Sequence, residues 1–418
     1  MSARTGTTVR LIALTFLLGS YGCTFGGSPK PTVSPQFTSG SMVIWADPSF
    51  AKVLPPFVNQ FTARNPGTSV KIEQVPFDQT LSQLQGTGPN GLGPDLFVGT
   101  HEWLGALVPA GAVAPIDLGP KKDAFVPVTV QAFTYQGKVY GVPFAFQNVA
   151  LLRNTELVPD APATWEDLTK TALQLKKSKR VDLSLGMQVP DPYYQYPLFS
   201  ALGGYLFKQS PDGTFDTSDV GLDSAGGLKA ATAFGRWTKE GLIDPNVTYD
   251  VMVEKFSSGK APFAITGPWA VAQPDTGFKA TGVPFAVGPI PTVEGGTPHP
   301  FVGVQGFMVS GYSHNQDMAR AFALQFMATD DAQIKLFEAG GRAPALKSAF
   351  DEVAAKNAEV KGFGESGENG IPFPPNPEVK DIWSSWTDAY TLIFNGTGNP
   401  VAVFKKAATT MRAKVAGG

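Results

Sequence analysis

The residues of this sequence with chemistry to offer are aromatic rings set beside carboxylates and sharp turns. Phe263, Ala264, Ile265 and Thr266 read as a short buried strand closed by Gly267-Pro268, a pair that throws the next side chain, Trp269, outward. An indole there presents a flat apolar face and one N–H donor, which suits the C–H faces and hydroxyls of a sugar ring; a lone tryptophan also reads as core. A second group, Asp191, Pro192, Tyr193, Tyr194 and Tyr196, reads as one loop, equally open to a binding surface and to an aromatic core cluster. A third lies in His101-Glu102-Trp103-Leu104-Gly105, just past an expected strand end, the place where open α/β sheets bind ligands.

Other chemistries are disfavoured by composition and spacing. The chain has 33 Lys+Arg against 35 Asp+Glu, a net charge of −2, and no long basic run, so nucleic acid is not the expected partner. His101, His299 and His314 are the only histidines and none stands at ligand spacing from another, so neither a metal nor another cofactor is expected. Gly86-Thr87-Gly88-Pro89-Asn90-Gly91 matches a dinucleotide-binding glycine pattern, but Gly93-Pro94 follows at once and prevents a helix from opening there. The stretch reads as a surface loop.

The elements that must position these residues follow an α/β order. Met42 to Trp45 is an apolar first strand. A helix starts near Leu54, with Pro55-Pro56 in its first turn, and Asn65-Pro66-Gly67 ends it. Val70 and Ile72 mark a second strand and Asp95 to Val98 a third, a βαβ order that predicts a mainly parallel sheet. The passage from Val139 to Asn148 is strand-like and suited to crossing between lobes. Thr164 with Asp167 three residues on has the form of a capping box. Lys229 to Glu240 reads as a helix stopped by Gly241, and a helix from Asp331 stops at Gly340-Gly341. Pro372 to Pro377 leads into a helix carrying Trp383 and Trp386.

The N-terminal segment has a different task. Arg4 and Arg10 precede the apolar run Leu11 to Leu18, too short to span a bilayer, so residues 1–22 read as an export signal. Gly22-Cys23 follows. Cys23 is the only cysteine, which rules out an intrachain disulfide, and the site resembles a bacterial lipoprotein processing site in which that cysteine is acylated. Residues 23–40, rich in Gly, Ser, Thr and Pro, read as a tether.

Taken together, Pro94-Asp95-Leu96-Phe97, His101-Glu102-Trp103, Thr164-Trp165-Glu166-Asp167-Leu168, Pro192-Tyr193-Tyr194, Gly203-Gly204-Tyr205, Ile265-Thr266-Gly267-Pro268-Trp269, Pro300-Phe301-Val302-Gly303-Val304 and Ala345-Leu346-Lys347-Ser348 resemble the maltose/maltodextrin-binding proteins, the sugar-capturing subunits of ABC importers. The resemblance implies two α/β lobes with a hinge, a periplasmic-binding-protein-like fold, with residues 41–146 and 306–345 in one lobe and 147–305 and 346–418 in the other. It implies a monomeric, non-catalytic protein at the outer face of the cytoplasmic membrane that delivers maltose-like sugars or malto-oligosaccharides to permease subunits. By the same resemblance, Trp269, Trp383, Tyr193 and Tyr194 stack on sugar rings, Glu102 and Asp191 accept hydrogen bonds from hydroxyls, and Asp47 sits near another polar position. The sequence departs from the pattern at Gln147, where many members carry glutamate, at Trp103, where the best-known member has arginine, and at a lysine missing near Asp47. Gln147 retains both a donor and an acceptor for a sugar contact. Two alternatives remain: a glycoside hydrolase using Glu102 and Asp191 as its acid and base, and a sugar sensor or adhesin.

Overall fold

A computed structural model describes residues 36–210, 213–272, 275 and 277–417. The export signal, Cys23 and most of the tether therefore lie outside the described residues.

Two sheets organise two lobes. The larger has the order Ala343–Pro344, Val142–Gln147, Phe301–Ser310, Leu96–Thr100, Gly40–Ala46 and Thr68–Gln74, with the short strands Val113–Ala114 and Ile371–Pro372 added on Phe301–Ser310. The smaller runs Phe285–Gly288, Ala150–Asn154, Phe263–Thr266 and Gly186–Met187. The first three strands pair in parallel, as βαβ order requires. The larger sheet as a whole is mixed rather than mainly parallel, because Phe301–Ser310 is antiparallel to both Leu96–Thr100 and Val142–Gln147. It re-enters from the other lobe and so runs against the strands that left this one.

The chain crosses between lobes three times. Only Asn148 and Val149 separate Val142–Gln147 from Ala150–Asn154 in the other sheet. Asn148 is buried at this crossing and its Nδ2 donates to the carbonyls of Val149 and Phe363, both at 3.0 Å. Phe301–Ser310 makes the second crossing and Ile371–Pro372, paired with Phe301 and Val302, the third. Gly303, Val304 and Gln305 already pair with Gln147, Phe146 and Ala145, so the larger sheet claims this strand earlier than the expected boundary at 305/306. Residues just past the expected boundary at 345 also stay with the larger lobe: Ala349 belongs to its core, and the backbone N–H of Leu346 donates to Gln333 Oε1 at 2.7 Å.

Local signals account for several helix ends. Thr164 caps Trp165–Lys177 by accepting from the Asp167 N–H, and Gly241 and Gly341 take the positive φ values (79° and 69°) that end their helices without Cβ strain. Two expected loops turn out otherwise. Helix Phe77–Thr87 runs through Gly86 and passes into a single tight turn at Gly88–Asn90. The stretch after Asp191 is the helix Pro192–Ala201, with Asp191 as its cap and Pro192 at its first position. Each lobe, called larger or smaller after its sheet, has its own core: Trp165, Phe199, Phe234 and Trp386 are buried in the smaller, while the larger packs apolar side chains on both faces of its sheet. Among the described residues no helix is long and apolar enough to cross a membrane.

Candidate functional site

Strand ends of the larger lobe deliver one wall of the site. Gly40–Ala46 ends at Asp47, which caps the short helix Pro48–Ala51; its Oδ1 accepts from the Ser49 N–H at 2.9 Å and from the Ser49 hydroxyl at 2.6 Å. Leu96–Thr100 passes directly into a tight turn, His101–Trp103, that holds Glu102 outward and exposed. Glu102 makes no hydrogen bond to any described residue, so its carboxylate is free for a ligand. Trp103 is half-buried against Phe77, their ring centroids 5.0 Å apart. Asp47, Phe77, Glu102, Trp103, Gln147 and Arg342 border a cavity of about 420 Å³.

His101 is wholly buried and does not face that cavity as a ligand. Its Nδ1 accepts from the Val304 N–H at 3.2 Å and its Nε2 donates to the Phe373 carbonyl at 2.9 Å, a neutral imidazole with both nitrogens satisfied. Burial pulls its pKa down, against the opposing field of Glu102. The ring therefore ties the Glu102 turn to two of the three crossings. Among the described residues no three His, Cys, Asp or Glu side chains are grouped as a metal ion needs.

The smaller lobe provides aromatic rings. Trp383 stands half-buried on helix Glu378–Phe394, its centroid 5.5 Å from that of Phe373, whereas Trp386 on the same helix is fully buried core. Trp383 and Phe373 border a second cavity of about 560 Å³ that shares Glu102 and Trp103 with the first, so the two open along one rim. Tyr193 links this face to Trp269: its ring lies 6.2 Å from Phe373 and 6.2 Å from Trp269. Burial drives the Tyr193 pKa far above its ordinary value, and the Glu102 carboxylate across the cleft is the next contributor. The two walls thus lie within electrostatic reach of each other.

Trp269 and Asp191 are placed differently from expectation. The Trp269 ring folds back over Gly267, where a Cβ would collide with it, and its Nε1–H donates to the Tyr194 hydroxyl at 3.2 Å, leaving one half-buried face and no free N–H. Burial raises the Tyr194 hydroxyl to about 12, a shift that the bond from Trp269 opposes. The Asp191 carboxylate accepts from the Tyr193 N–H at 3.0 Å and from Gln188 Nε2 at 3.3 Å, which makes it a helix cap first. Burial raises its pKa while the Tyr193 N–H counters. Neither cavity includes Asp191, Tyr193, Tyr194 or Trp269 in its lining.

Arg342 is the site residue that sequence reasoning passed over. Ala343 pairs with Phe146, and this register sets Arg342 beside Gln147, whose Oε1 accepts from Arg342 Nε at 2.9 Å. Burial lowers the guanidinium pKa and the nearby Asp47 opposes that shift. A charged residue immediately after the helix stop Gly340-Gly341 was the one available signal.

Comparison with known proteins agrees with this architecture. Residues 57–362, well over half of the chain, match the family model described as bacterial extracellular solute-binding protein. The chain is 27% identical over 403 residues to a galactooligosaccharide-binding protein of Bacillus subtilis, covering 93% of each chain. It is 27% identical to a maltotriose-binding protein of Pyrococcus abyssi, over 82% of this chain and 75% of that one. Among solved structures, a cyclo/maltodextrin-binding protein complexed with maltotetraose superposes with a TM-score of 0.83 at 28% identity, covering 92% of this chain and 99% of that one. Two lobes joined by three crossings, with a cleft between them and a family model spanning both, lead to one conclusion: this chain belongs to the bacterial extracellular solute-binding proteins.

Proposed function

We propose that the protein captures a maltose-like sugar or malto-oligosaccharide in the cleft between its lobes and delivers it to the permease of an ABC importer. It is a binding protein, not an enzyme. The observation that carries the reading is the pairing of a free carboxylate, Glu102, with half-buried rings of both lobes, Trp103 and Trp383, around one continuous rim. Rings remove the C–H faces of a sugar from water, and polar groups at their edges fix its orientation. Asp47, Glu102 and Gln147 act as polar contacts, and Trp103, Tyr193 and Trp383 as the aromatic surface. Tyr194 supports the exposed face of Trp269 through its hydroxyl, and Asp191 shapes the helix that presents Tyr193. Support for a sugar also comes from relatives named for galacto-oligosaccharides and maltotriose. Acylation of Cys23 anchors the monomer at the outer face of the membrane.

The test is titration of intrinsic tryptophan fluorescence with maltose, trehalose, maltotriose, a cyclodextrin and a galacto-oligosaccharide. Saturable change with an α-glucan is expected. No response to any of the five, from protein shown to be folded, removes the sugar reading; a response to the galacto-oligosaccharide alone replaces its ligand.

A further inference from the structure

We infer that Arg342 and Gln147 together form a hydrogen-bond donor edge in the cavity of about 420 Å³, and that Arg342 is a specificity-determining residue which also positions Gln147. This inference deepens the sugar-binding reading and rests on it. A guanidinium carries donors and no acceptor, so the amide atom that meets Arg342 Nε at 2.9 Å must be the oxygen of Gln147. That contact removes the choice of amide orientation. Gln147 Nε2 then faces the spot beside Gly303, where an added Cβ would lie 3.7 Å from Nε2 and 3.6 Å from Glu102 Oε1.

Two consequences follow for what the cavity accepts. First, Arg342 occupies one of the two lone pairs of the Gln147 oxygen, so the wholly unengaged polar atom of this side chain is the donor Nε2. Second, the terminal N–H groups of Arg342 have no acceptor among the described residues, and no carboxylate pairs with it within ion-pair distance. A half-buried guanidinium without a paired carboxylate favours a ligand oxygen with lone pairs to offer. Across the same cavity Glu102 only accepts when ionised. A sugar unit lying between them is therefore read in one direction: oxygen lone pairs, from a hydroxyl or an ether oxygen, meet Arg342 and Gln147, and hydroxyl hydrogens meet Glu102. Arg342, in the loop after helix Asp330–Gly340 of the same lobe, places its positive charge within electrostatic reach of Asp47.

The experiment is calorimetric titration of maltotriose into the full chain and into Arg342→Met, Arg342→Lys and Gln147→Glu, with a melting curve for each. Arg342→Met is expected to weaken binding about ten- to hundredfold, the effect of losing hydrogen bonds from a charged group, with little change in melting temperature. Arg342→Lys restores part of that loss because it still donates to Gln147 Oε1. Gln147→Glu replaces the donor by an acceptor and pairs ionically with Arg342, so it weakens binding while raising the melting temperature. A purely structural role cannot move those two readouts in opposite directions. Binding by Arg342→Met as tight as the parent, or tighter binding by Gln147→Glu, overturns the donor edge and leaves the sugar reading intact. A parent that takes up no maltotriose overturns both.

Discussion

Replacing Trp269 by alanine is expected to damage stability and binding together, and the two losses have separate structural sources. The side chain is half-buried against the core of the smaller lobe. A fully buried tryptophan costs about 3–5 kcal/mol on truncation, so a half-buried one should cost about 1.5–2.5 kcal/mol. The lost bond to the Tyr194 hydroxyl adds about 0.5–1.5 kcal/mol, for a total of about 2–4 kcal/mol in unfolding free energy. The exposed face, if it stacks on a sugar, contributes a further loss of about 1–3 kcal/mol in binding, or about 5- to 150-fold in Kd. Trp269→Phe separates the terms: it keeps a ring face and removes the N–H, so binding should fall less than fivefold while stability drops by about 0.5–1.5 kcal/mol. Urea unfolding gives the first quantity and calorimetry with maltotriose the second. If Trp269→Ala binds as tightly as the parent while its unfolding midpoint collapses, Trp269 is a core residue only and its stacking role is refuted.

Glu102→Gln should leave the melting temperature within error, because Glu102 bonds to no described residue, and should weaken maltotriose binding by about 1.5–3 kcal/mol, checked by calorimetry. Asp191 has a folded pKa above its unfolded value, so its ionised form opposes folding above the ordinary carboxylate range and the opposition is relieved as pH falls. Asp191→Asn keeps an oxygen for the cap and should therefore melt higher than the parent at pH 7, the gap closing towards pH 4; a gap that widens on acidification would contradict the assignment. Cys23→Ser should move folded protein from the membrane to the soluble fraction, measured by fractionation, and retention in the membrane would count against acylation as the anchor.

Features set by neighbours in sequence were legible, and those set by distant pairing were not. Thr164 with Asp167, Gly241 and Gly340-Gly341 carry their structural meaning within one helical turn, and the structure places the helix ends there. The same local logic was available at Asp191-Pro192, a cap followed by a first-turn proline, but the density of tyrosines drew the reading towards a loop. The Gly267 turn was visible while the direction of the Trp269 ring was not, since that depends on Tyr194, 75 positions away. Arg342 reaches Gln147 across 195 positions through the pairing of Ala343 with Phe146. No periodicity within either segment encodes that meeting.

The threefold crossing has a consequence for how this chain is made. Phe301–Ser310 lies between Leu96–Thr100 and Val142–Gln147, so a nascent chain that has not reached residue 310 lacks the strand joining the two halves of its larger sheet. The smaller lobe waits longer still, because helices Glu378–Phe394 and Pro400–Gly417 close its core over Ala225–Lys239. Neither lobe is a unit that can complete itself as the ribosome delivers it, and closing loops of this span is slow. For a chain whose first 22 residues read as an export signal, slow acquisition of structure would be an asset, since it would keep the polypeptide threadable during translocation.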